Sequence, residues 1–200
     1  MHLHTTRQMS FQLFIAFLIT GALAYFEYVG GQYTHSLALS ADAAHIFLDG
    51  FAVLLAWLAV ISGSRIPFLK TVCTLFNAVL LIATSCMIAW ETIPLLVHPQ
   101  VIIAKQTLLV AVICLILNLL ILQRLTHGNH DDNIRAVTFH VLGDMISSIG
   151  VIVSSAFVAL TGFNRLDSLV AVGVSIYLMS NGWSLLLKTL TTQSHQAQNE

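Results

Sequence analysis

Charge is what this chain has least of: 8% of its 200 residues are Asp, Glu, Lys or Arg, against about 25% in an ordinary water-soluble domain. With 57% apolar residues and a mean hydropathy of +0.86, a soluble globule is excluded. Eight basic residues balance nine acidic ones, so there is no basic field to hold nucleic acid and no acidic surface to hold basic partners. Cysteine is scarce and odd in number: Cys73, Cys86 and Cys114 form neither a CxxC pair nor a disulfide framework, and read as small buried packing residues. No GxxxxGK[ST] run occurs, which removes the nucleotide-driven classes that rely on that loop.

What is present is length without polarity. Six stretches, about 10 to 30, 36 to 62, 68 to 92, 101 to 125, 134 to 161 and 166 to 188, are each long enough to cross ~30 Å of hydrocarbon as a helix of ~20 residues. The expected fold class is an all-α membrane protein, a six-transmembrane-helix bundle. Residues 1–9 are expected as a short N-terminus, 10–188 as the transmembrane domain and 189–200 as a short tail. The first run is not a signal peptide, because no AxA-like cleavage site follows Tyr25 and the chain leads directly into a second span. Arg7, Arg65, Lys70, Arg124, Arg135 and Lys188 fall on one side of such a chain, Lys105 and Arg165 on the other. That asymmetry places both termini in the cytoplasm; the expected location is a bacterial inner membrane.

Ionisable residues inside a span cost about 2.5 to 3.5 kcal/mol each on insertion scales. Two spans carry the same pair: His45 and Asp49 in the second, His140 and Asp144 in the fifth, both HxxxD. A step of four puts both side chains on one helix face. With the second helix entering from outside and the fifth from inside, a rise of 1.5 Å per residue sets His45 and Asp144 ~15 Å above the inner boundary, and Asp49 and His140 ~10 Å above it. Two imidazoles and two carboxylates then converge as a tetrahedral N2O2 set that suits Zn2+; Cu+ would ask for sulfur, Ca2+ or Mg2+ for oxygen alone. The alternative is a pair of intrahelical His-Asp hydrogen bonds that lock the bundle. A haem bundle with two axial His leaves both Asp unexplained. A zinc enzyme is disfavoured by four protein ligands where an open position is needed.

Other polar residues read less sharply. Asp42 shares the face of His45 and Asp49, as a hydrogen-bond acceptor for the His45 ring, a stop on the outward path or a structural residue. Glu27 and Glu91 sit near the outer ends of the first and third helices, within reach of headgroups or water. Asn77 and Asn118 read as interhelical hydrogen-bonding residues, and Gly143, Ser147, Gly150 and Ser154, with the neighbouring Ser148 and Ser155, as a small-residue contact surface. The loop between the fourth and fifth helices offers His127 and His130 as metal contacts, or as an ordinary polar turn. His2, His4, His35, His98 and His195 are expected in solvent.

The stretches SLALSADAAHIFLDGFAVLLAWLA, NHDDNIRAVTFHVLGDMISSIGVIVSS and DSLVAVGVSIYLMSNGWSLL resemble the cation diffusion facilitator family of zinc transporters. The resemblance covers all six spans. It implies a homodimeric metal/proton antiporter, not an enzyme and without a cofactor, that exports Zn2+ through His45, Asp49, His140 and Asp144, with Co2+, Fe2+ or Mn2+ as alternative cargo. HxxxD in the second helix, where some relatives have DxxxD, looks like the variant associated with zinc over cadmium. Phe68 and Lys70 stand where relatives open the third helix with an RxE element. The usual cytoplasmic domain is not expected in this chain, which leaves dimer contacts to the membrane helices, with Leu75, Val79, Ile82 and Cys86 as a candidate stripe. A His near its reference pKa of ~6.5 holds either a proton or a metal on a given nitrogen, which is the basis of exchange.

Overall fold

The computed structural model describes residues 2–61, 67–126 and 132–197, with side chains described over most of 14–55 and throughout 71–120 and 145–191. Among these, six α-helices follow one another: α1 (His2–Thr34), α2 (Leu37–Ile61), α3 (Pro67–Val97), α4 (Ala104–Thr126), α5 (Asp132–Thr161) and α6 (Arg165–Ala197). The helices overrun the expected spans, α1 at its start, α3 to Val97 and α6 to Ala197. For α1 and α6 no breaker stands in the way, since no Gly or Pro occurs in the first twenty residues or after Gly182, whereas α3 runs on through Pro94.

Polarity is distributed as a bilayer demands. Large apolar side chains face outward, among them Ile146, Leu160 and Trp90, while Glu27, Asp42, His45, Ser148 and Asp167 are buried. Buried hydroxyls return to their own helix: Thr92 donates to the Ile88 carbonyl at 2.6 Å and Ser155 to that of Val151 at 2.7 Å. Such bonds satisfy hydroxyl groups where no water reaches.

α2 stands between two cores. One joins Ala41 and Leu48 to Leu81 and Ile88 of α3 and to Ala171, Val174 and Leu178 of α6. The other joins Ala38 and Leu39 to Ala111 of α4 and Val151 of α5. α3 packs most extensively on α6, and Gly182 permits it: a Cβ there would lie 2.9 Å from Ile82 Cγ1 and Leu81 Cβ and 3.1 Å from the Ala78 carbonyl. Ile82 therefore faces α6 and leaves the expected α3 stripe, of which Val79 and Cys86 are exposed and Leu75 half-buried. Cys86 is likewise not the buried packing residue expected; of the three thiols only Cys114 is fully buried.

The α1–α2, α3–α4 and α5–α6 connections are tied together at one end. The Ile103 amide donates to the Thr34 carbonyl at 3.0 Å and the Ile102 amide to Asn164 Oδ1 at 3.5 Å. α1 ends with His35 in the left-handed region, φ 58°. The Ser36 amide reaches back to the Gly31 carbonyl and that of His35 to Gln32, which closes the helix in a Schellman turn. Gly31 is needed at that turn, since a Cβ would meet the Ser40 backbone nitrogen at 2.9 Å.

Candidate transport site

His45 is in the third turn of α2, 2% exposed, and Asp49 one turn further on is 14% exposed. Their side chains meet as the four-residue step requires, His45 Nε2 lying 3.4 Å from Asp49 Oδ2. Tyr177 of α6 sets the ring from the other side, edge-on with centroids 5.4 Å apart. Nothing in the sequence pointed to Tyr177, because an aromatic on an apolar helix face carries no spacing signal.

Asp42 makes a bond that none of its alternatives named. Its Oδ2 accepts the Ser148 hydroxyl of α5 at 2.8 Å, and both residues are fully buried. This bond joins α2 to α5 and fixes their antiparallel register at one point. His140 and Asp144 belong to α5, but their side chains lie outside the described ones. His127 and His130 lie outside the described residues altogether.

Glu27 departs from expectation. It is fully buried, while Glu91 is exposed. α1 continues to Thr34, so Glu27 is two turns short of the helix end and cannot reach the boundary. Glu27 of α1, Asp42 of α2, Cys114 of α4 and Ser148 of α5 are all fully buried, so four helices carry polar groups in the interior. For Asn77 and Asn118 the interhelical role is not met at every atom: Asn77 Oδ1 and Asn118 Nδ2 are buried without a hydrogen-bond partner among the described residues. A cavity of about 520 Å³ opens at the tied end, lined by Gln32, His35, Ser40, Trp90, Glu91 and Gln100 among others. Neither His45 nor Asp49 lines it.

Residues 13–192 match the model of the cation efflux transmembrane domain. The chain belongs to the cation efflux family. It is 34% identical over 94% of its length to the zinc transporter ZitB of Pectobacterium atrosepticum and 32% identical over 88% to the metal cation efflux system protein CzcD of Cupriavidus metallidurans. A cadmium, cobalt and zinc/H(+)-K(+) antiporter of Bacillus velezensis is 28% identical over 86%. The chain spans 62%, 59% and 58% of these three relatives. For a cation efflux domain the six-helix membrane bundle is the fold, and the polar interior between α2 and its neighbours is where this one differs from an inert bundle.

Proposed function

We propose that the chain exports Zn2+ from the cytoplasm in exchange for protons, through a tetrahedral site of His45, Asp49, His140 and Asp144. The observation that carries this reading is the pair of buried His45 and half-buried Asp49 on the helix that the Asp42–Ser148 bond joins to α5. Carried along two antiparallel helices from that bond, the register brings Asp144 level with Ile46 and His140 level with Gly50, within one residue of the pairing expected from depth. Relatives named for zinc, for metal cations and for proton-coupled antiport support the cargo and the coupling.

The four groups explain the cycle. In an inward-open state Zn2+ displaces protons from His45 and His140; in an outward-open state their return weakens the site and releases the metal. Helix rocking about a midplane site moves access from one side to the other. The basic residues at the two chain ends and at the α2–α3 and α4–α5 connections support an orientation with that end in the cytoplasm and the tied end outside, and the bacterial relatives support an inner membrane. The protein works as a homodimer whose contact is the row of α3 turned away from α6, with Val72, Phe76 and Val79 exposed along it.

Proteoliposomes test this directly. Zinc should accumulate faster when the lumen is acid, and its entry should make the lumen more alkaline. Cobalt, iron and manganese at equal concentration should enter more slowly. Uptake indifferent to an imposed pH gradient would leave facilitated diffusion as the better account.

A further inference from the structure

The first residue of the second helical arm is held by an acid from far away in the chain. Asp167, in the first turn of α6, is 3% exposed. Its Oδ1 accepts the Ser36 hydroxyl, and its Oδ2 accepts the Leu37 amide at 2.8 Å and the Ala38 amide at 3.2 Å. The Ser36 oxygen meanwhile accepts the Leu39 amide at 3.2 Å. The first amides of α2, which have no partner within their own helix, are therefore satisfied by one serine of the turn and one carboxylate of another helix. An acid at this place also meets the positive end of the α2 dipole and that of α6 together.

From this we infer that Asp167 is a positioning residue for the transport site: it pins the outer end of α2 to α6 and thereby fixes the depth and rotation of His45 and Asp49 without touching the metal. Three properties lead there. The contact involves both carboxylate oxygens and three donors, so it fixes direction as well as distance. His45 lies nine residues beyond Ser36 on a continuous helix, about 13 Å away at 1.5 Å per residue, too far for Asp167 to share its ligand. Finally, α6 also supplies Tyr177 against the His45 ring, so one clamped pair of parallel helices carries the ligand and its lateral support.

The inference rests on the transport reading above, and the test separates the two. Asp167→Asn keeps shape but replaces one acceptor oxygen by an NH2 group that cannot accept. In lipid nanodiscs the Leu37 and Ala38 amides should exchange with deuterium at least about tenfold faster, while amides midway along α4 keep their rates. Zinc affinity, measured by calorimetry with zinc alone, should fall about tenfold, as when an orienting group behind a ligand is lost. Preference for zinc over cadmium should narrow, which simple loss of stability would not cause. Where the Asn variant does not fold, Ser36→Ala, which removes one donor, should give the same pattern at about threefold. Unchanged exchange at Leu37 and Ala38, or faster exchange with affinity and selectivity intact, overturns the proposal. So does lost transport with exchange intact, which would make Asp167 a group that meets the metal. If the unaltered chain binds no zinc, the transport reading itself falls and takes the role of Asp167 with it; zinc binding by the unaltered chain confines any of the other failures to Asp167.

Discussion

α1 and α2 on one side and α3 and α6 on the other are the two most closely packed neighbours in the bundle, and they are built for different ends. The α1–α2 pair buries Glu27, Asp42 and His45. Where α3 meets α6, the close contact is made by Gly182 against Ala78, Leu81 and Ile82. In a membrane neither pair gains from the hydrophobic effect, so close fit must hold α3 to α6, whereas α2 is held by polar bonds that also orient ionisable groups. The contrast teaches that the expensive residues are concentrated on one helix and its neighbours, while the remaining seam is left cheap and tight.

The strongest way to break that contrast is at the ligand. Asp49→Ala should reduce zinc uptake by proteoliposomes to background while leaving the helical content by circular dichroism unchanged; near-normal uptake with unchanged affinity would remove Asp49 from the site. Next is the seam. Gly182→Val puts atoms where Ile82 and Leu81 already stand and should lower stability in detergent by about 1 to 3 kcal/mol through overpacking, with zinc affinity of the surviving folded protein little altered. A large loss of affinity without loss of stability would show that the α3–α6 seam itself, and not only Asp167 and Tyr177 of α6, sets the site.

How much of this the sequence disclosed follows the same division. The six helices and the pair His45 and Asp49 were legible because an apolar run of sufficient length and an ionisable step of four both have one economical reading. The ends of helices were not, and Glu27 shows the consequence: its burial goes with α1 running through Gly30 and Gly31 to Thr34, where two glycines read as a connection. Ser148 was hidden among Ser147, Ser154 and Ser155, four small residues of which one reaches Asp42. Asp167 escaped for another reason. An acid in a helix's first turn looks like a cap for its own helix, and only the fold shows it serving a different one.

Smaller effects sharpen the comparison further. Ser148→Ala leaves the Asp42 carboxylate without its α5 donor and should cost about 1 kcal/mol of stability, together with a few-fold loss of zinc affinity by calorimetry; a change in stability alone would make the bond a brace and nothing more. His35→Gly relieves a left-handed conformation that L-residues adopt at a cost of about 1 kcal/mol. It should raise the thermal midpoint slightly with transport unchanged, since the exposed His35 ring stands outside the polar interior.

The serine at the α1–α2 turn has a consequence for biogenesis. Ser36 closes α1 and opens α2 at once, so this hairpin can form as soon as its two arms have left the ribosome. Its last acceptor, Asp167, follows 131 residues later. Through the insertion of α3, α4 and α5 the start of α2 must therefore hold its amides against headgroups or water, and only the arrival of α6 completes it. The sixth helix acts as a lock on the first hairpin, and a nascent chain halted before it would present an unfinished helix end to the quality-control machinery of the membrane.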